Sequence, residues 1–179
     1  MQIYTRGKPN SRAKLSIKEL KYVAHFYASK LLSEKLSNNI EVLIIFSDKE
    51  TSDQGVDGYC DWQDQNDKPR EFIIALTTKG NKKAILECLG HEMKHVQQFA
   101  SGQLKDLDRP SNSLRWGNRI FKSPMNAFDE VSKNKIDGTT FDYKKYRKQP
   151  WERDAFRAQT KMYYQYKKHV KETGGHKNA

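Results

Sequence analysis

An α+β domain is expected from three features of the sequence. Two short β-branched and apolar runs, Glu41 to Phe46 and Arg70 to Leu76, have the length and composition of strands. Two longer segments, Ser16 to Leu31 and Lys82 to Ser101, carry apolar residues at helical spacing. At 179 residues the chain fits one domain, residues 1–179, with enough material to bury a core without disulfide or metal staples. The expected architecture is a small, mostly antiparallel sheet of about three or four strands packed with an N-terminal helix, a central helix and a C-terminal helix.

Met1 to Lys14 is polar and basic with Gly7 and Pro9, and reads as an extended arm. Ser16-Ile17-Lys18-Glu19 has the capping-box pattern and opens a helix with Leu20, Val23, Ala24, Tyr27 and Leu31 on one stripe. His25 lies near that stripe and reads as a partly buried structural histidine. Ser37-Asn38-Asn39 ends the helix, and Glu41 to Phe46 follows as a central strand buried on both faces. Asp48 to Gly58 reads as a polar connection, Tyr59 to Trp62 as a second strand, and Gln63 to Pro69 as a turn. The acids of these loops lack EF-hand spacing, which argues against a calcium site. Arg70 to Leu76 is the third strand. Placed just before the central helix, it is expected to form the rim to which an extended peptide adds through backbone hydrogen bonds.

Gly80-Asn81 supplies a stop and a cap, and Lys82 to Ser101 forms one helix with Ile85, Leu89, Val96 and Phe99 on its core side. This helix carries His91-Glu92-Met93-Lys94-His95, the His-Glu-x-x-His pattern. Two histidines four residues apart stand one turn apart on the same face, so both imidazoles reach one metal ion. Glu92 projects beside them, where a carboxylate can take a proton from a water activated by the metal. It also falls inside the apolar stripe, and a bound cation would offset the cost of burying it there.

After Ser101-Gly102, residues 103–118 are polar and turn-rich, and read either as a lid over the site or as a hairpin around Gly117-Asn118. The function of the whole stretch 103–140 is open at this level. Thr139 to Tyr143 has the pattern of a short strand. Pro150 suits the first position of a helix, with Glu152 and Asp154 in its first turn. That helix is expected to run through Met162, Tyr163 and Tyr166 and then give way to a flexible basic tail, residues 167–179, in which His169 and His176 are solvated.

A zinc site wants at least three protein donors, and His91 and His95 supply two. The candidates for a third are Asp108, Asp129, Glu130 and Glu152. Glu152 is preferred because a helix would hold it rigidly. Position alone leaves this even with a simpler role, in which Glu152 only favours the helix dipole.

A His-Glu-x-x-His helix followed by Pro150-Trp151-Glu152-Arg153-Asp154-Ala155 resembles the small zincin metallopeptidases of the gluzincin type. These include compact ones encoded by bacteriophages and distantly related to SprT-like proteins. The resemblance implies a zincin-like fold, Zn2+ held by His91, His95 and Glu152, and Glu92 as general base in peptide-bond hydrolysis. It covers the two helices and the preceding strands, but not the first fourteen residues or the middle segment. The four-cysteine zinc ribbon of many SprT-like proteins is absent from this sequence. Tyr143, Tyr146 and Arg153, close to Glu152 in the chain, are candidates for stabilising the oxyanion.

Lys and Arg number 33 against 22 Asp and Glu, a net charge of +11, which favours contact with nucleic acid or another polyanion. A basic nucleic-acid-binding protein with a structural metal is therefore the competing expectation, and a DNA-associated protease acting on DNA-bound proteins combines the two. Cys60 and Cys88 support neither a disulfide framework nor a thiol nucleophile with a paired base. No apolar run is long enough to span a bilayer, and the first residues lack a signal-peptide core. A cytoplasmic monomer is expected, in the host cytoplasm if phage-encoded, with a protein or peptide as substrate.

Overall fold

The computed structural model describes residues 1–53, 56–107, 113–122 and 143–174. Strand β1 (Gln2–Arg6) comes first, followed by a short 3-10 turn at Ser11–Ala13 and helix α1 (Ile17–Leu31). Then come α2 (Glu34–Ser37), β2 (Glu41–Phe46), α3 (Asp48–Asp53), β3 (Gly58–Trp62) and β4 (Glu71–Leu76). Helix α4 (Lys82–Ala100) leads into strands β5 (Leu104–Asp106), β6 (Ser113–Trp116) and β7 (Arg119–Lys122). The described chain closes with α5 (Tyr143–Lys148) and α6 (Pro150–Thr173).

The main sheet has the order β1-β2-β4-β3. Both β1 and β4 run parallel to β2, and only β3 is antiparallel to its neighbour β4. The sheet is therefore mixed, not mostly antiparallel. Parallel neighbours need crossovers, and α1, followed by the short α2, makes the one between β1 and β2. Strand β2 is interior, as its composition predicts. Val42, Ile44 and Phe46 face the main core, while on the opposite face Ile45 is buried and Leu43 is half-buried.

The first fourteen residues are part of the fold, not an arm. Gln2 to Arg6 pairs with Glu41 to Ile45, Ile3 is buried, and Ala13 and Leu15 enter the core. Backbone pairing to β2 makes a strand here from residues that are mostly polar. The Asp48 to Gly58 connection contains α3, whose buried Thr51 donates its hydroxyl to the Ser47 carbonyl.

Helix caps follow the sequence. Ser16 and Asn81 accept from the amides of Glu19 and Ala84. Leu20, Val23 and Tyr27 of α1 meet Ile85, Leu89, Met93 and Val96 of α4 and Met162 and Tyr166 of α6 in one core. His25 does not join it and is exposed. The chain from Gln103 to Asn118 contributes to a second, antiparallel sheet β5-β6-β7, with the β6-β7 turn at Gly117-Asn118, where Gly117 has φ 57°. Residues 108–112 and 123–142 lie outside the described residues, and with them all of the expected strand Thr139 to Tyr143 but its last residue, which opens α5.

Helix α6 continues to Thr173, seven residues beyond Tyr166, and stops at Gly174 in the left-handed conformation. Residues 167–173 are thus helical rather than tail, and His176 lies outside the described residues. His169 is not solvated: its Nε2 is 2.8 Å from the Tyr22 hydroxyl and its ring stacks on Phe26 with centroids 4.9 Å apart.

Helices α4 and α6 approach closely at Gly90. A Cβ there would lie 3.4 Å from Gln159 Cα and from Tyr27 Cε2, and 3.5 Å from Met162 Cβ. A methyl fits at ordinary contact and branched methyls do not. Gly90→Ala is expected to be near neutral in denaturant unfolding, and Gly90→Val to destabilise by about 1–3 kcal/mol. Deleting residues 2–6 should cost at least about 2 kcal/mol in the same assay, because β1 covers apolar surface of β2. A free arm would cost nothing.

Candidate metal centre

His91 and His95 project from the middle of α4 toward the first turn of α6, where Glu152 projects back. Three nearest-neighbour distances define the cluster. His91 Nε2 is 3.1 Å from Glu152 Oε2, His95 Nε2 is 3.3 Å from Glu152 Oε1, and the two Nε2 atoms are 3.1 Å apart. Each of the three residues is at least nine-tenths buried. Ligands bound tetrahedrally at 2.0–2.1 Å lie roughly 3.3 Å apart, so these separations match the edges of a tetrahedron around one cation. The His91, His95 and Glu152 group could therefore hold a metal ion.

Of the four candidates for third donor, Glu152 is the one brought to the histidines; Asp108, Asp129 and Glu130 lie outside the described residues. Its position follows from local sequence. Pro150 starts the helix at N1 or N2, and Trp151, 3 % exposed, packs into the core and turns Glu152 inward. Such a carboxylate is costly to bury unless cations or donors surround it.

Electrostatics divides the carboxylates of the site. Burial raises the Glu152 carboxyl, but His95 and His91 outweigh it and hold the group down at about 2. Burial likewise lowers His95, and the Glu152 carboxylate overturns that and pushes it up to about 9. Glu92, 4 % exposed, is raised, because burial outweighs the pull of His91 and His95. It is close enough to Cys60 and Cys88 to help raise both thiols, whose main cause is burial, so neither cysteine is an activated nucleophile.

Around the cluster stand residues that the motif does not announce. Gln98, fully buried, places Oε1 2.9 Å from His95 Nδ1. Its Nε2 donates to the Trp151 carbonyl and to Asp154 Oδ2, each at 3.1 Å. Lys94 Nζ is 3.1 Å from the same Asp154 oxygen. Phe156 packs edge-on against His91, with centroids 4.5 Å apart. A sequence signal did exist: Gln98 is three residues after His95, on the same helical face. Asp154 is two residues after Glu152 and faces α4, which spacing alone does not indicate.

The three oxyanion candidates differ in exposure. Arg153 is exposed, Tyr146 is half-buried, and the Tyr143 side chain lies outside the described residues. The strand expected to form a rim is not at the edge of the sheet. β4 lies between β2 and β3 and has no free edge, whereas β3 has one, among the described residues. The described residues contain no helix long and apolar enough to cross a membrane. Comparison with family models, curated proteins and solved structures finds no match for this chain.

The raised His95 and lowered Glu152 describe one ion pair of the metal-free protein. Its stabilisation is complete between about pH 4.5 and 6.5, fades as pH falls toward 2, and fades as pH rises through about 9. A metal must displace the His95 proton, so apparent affinity for a divalent metal should rise about tenfold per pH unit from pH 7 toward 9 and then level off. Titration calorimetry in several buffers measures both the slope and the released proton. A flat profile over that range would show that the proton is not held there.

Proposed function

We propose that this chain is a zinc-dependent metallopeptidase of the zincin type, with His91, His95 and Glu152 as ligands and Glu92 as general base. The observation that carries the reading is the convergence of two buried imidazoles and a buried carboxylate at tetrahedral spacing, with a second buried carboxylate on the adjacent helical position. Two histidines and one carboxylate are a common donor set for catalytic zinc, and three protein ligands leave a fourth position open. Bound zinc would lower the pKa of water and polarise a carbonyl at that position.

The protein's own groups do the rest. Glu92, one residue from His91 and raised by burial, accepts the proton of the attacking water and returns it to the leaving amine. An extended peptide adds along the free edge of β3, residues Gly58–Trp62, through backbone hydrogen bonds.

A second reading is favoured by one feature of α6. Arg153, Arg157, Lys161, Tyr164, Lys168 and Lys171 are all exposed at helical spacing, a basic stripe about 27 Å long. Such a stripe suits a polyanion, and a protease held on nucleic acid would act on proteins bound there. In that case binding to DNA or RNA weakens steeply with salt and is unchanged in Glu92→Gln.

Elemental analysis beside a peptidase assay on an unfolded protein tests the main reading. Wild type should carry one equivalent of zinc. Glu92→Gln should keep the metal and lose about 10²–10⁴ in rate. Glu152→Ala should lose most of the metal. Wild type without metal, or Glu152→Ala with a full equivalent, would remove the proposed site.

A further inference from the structure

Given the metal centre proposed above, on which this assignment rests, we infer that Gln98 is the positioning residue that presets His95 for the metal, at the end of a side-chain relay from Lys94 through Asp154. The direction of the Gln98 amide is fixed by its partners. The Trp151 carbonyl and the Asp154 carboxylate can only accept, and both lie 3.1 Å from one end of the amide. The NH2 group must occupy that end. The carbonyl Oε1 then faces His95 Nδ1 at 2.9 Å and can only accept from it. Nδ1 of His95 is therefore protonated, so the proton that a metal displaces is the one on Nε2, and the lone pair it leaves faces His91 Nε2 and Glu152.

Asp154 is in turn held by Lys94 Nζ at 3.1 Å, so the donor end of Gln98 meets a neutralised, anchored carboxylate. The same amide holds the carbonyl of Trp151, the residue before Glu152. One fully buried side chain thus sets the tautomer of a ligand on α4 and the backbone next to a ligand on α6. His91 has no equivalent among the described residues: its Nδ1 is buried there without a hydrogen-bond partner, and its ring packs on Phe156. The two imidazoles differ accordingly, one preset by a hydrogen bond and the other seated by contact.

Zinc affinity by competition with a chromophoric chelator, with unfolding followed in parallel, separates positioning from packing. Gln98→Leu should bind zinc about 10- to 100-fold more weakly. Gln98→Glu keeps an acceptor for His95 Nδ1–H and should stay within about threefold of wild type, although it gives up both donor bonds and unfolds more readily. Wild-type affinity in Gln98→Leu, or equal losses in the two variants, would overturn the positioning role. Imidazole nitrogen NMR of the zinc-loaded wild type needs no variant to fold: it should show His95 bound through Nε2 with a proton on Nδ1, and coordination through Nδ1 would overturn the assignment. A wild type that takes up no zinc sinks the metal centre itself, a result distinct from a loaded wild type with an indifferent Gln98→Leu.

Discussion

The constraint on which the rest depends is the burial of the Glu152 carboxylate against two imidazoles at the α4–α6 contact. A carboxylate 2 % exposed in a protein core is tolerated only beside positive charge or strong donors. A proton on His95 meets that need in the metal-free protein, and a divalent cation meets it more fully. Two Nε2 atoms 3.1 Å apart cannot both present lone pairs to each other, so either a proton lies between them or a cation could bind both.

Both ends of the α4–α6 pair are pinned by polar contacts, which keeps the donor distances from drifting. At one end the buried Glu19 of α1 takes an ion pair from Lys82 at 2.5 Å and a hydrogen bond from the Tyr166 hydroxyl at 2.9 Å, so all three long helices meet on one carboxylate. At the other end Lys94 and Gln98 hold Asp154 and the Trp151 carbonyl. Between them Gly90 lets the two backbones approach. Ligands on rigid elements supported from both sides hold a geometry more closely than ligands on loops. The order of elements serves the same end: β4 runs directly into α4, so the helix bearing two of the three donors is tethered to an interior strand of the sheet.

The parts legible in the sequence were those with a strong local signal. The strand at Glu41–Phe46, the cap at Asn81, the extent of α4 and the Pro150 start of α6 each follow from a few neighbouring residues. Pairing direction does not, because alternation and branching are the same in a parallel as in an antiparallel strand; hence a mixed sheet where an antiparallel one was expected. Gln2–Arg6 escaped because its strand state comes from pairing with β2, with Ile3 as its buried residue. His169 escaped because the basic residues around it hide two aromatic neighbours from α1, 147 residues earlier in the case of Tyr22. Gln98 was visible as a neighbour of His95 but not as its partner, since that role depends on which groups of α6 arrive opposite it.

Two carboxylates share this site and their surroundings push them apart. Glu152 sits between two imidazoles, which outweigh its burial and hold it ionised down to about pH 2. That suits a permanent anionic ligand. Glu92 shares the helix of those imidazoles without bonding to either ring, and burial among apolar residues and thiols raises it. A carboxyl raised by burial is a stronger base than an ordinary one, whereas one held near 2 would accept a proton too weakly to help. On the proposed reading, the division of roles follows from what surrounds each carboxylate. On that reading, exchanging the two functions would require moving the cation and its hydrogen-bonding imidazoles, because residue type is the same at both positions and the surroundings alone differ.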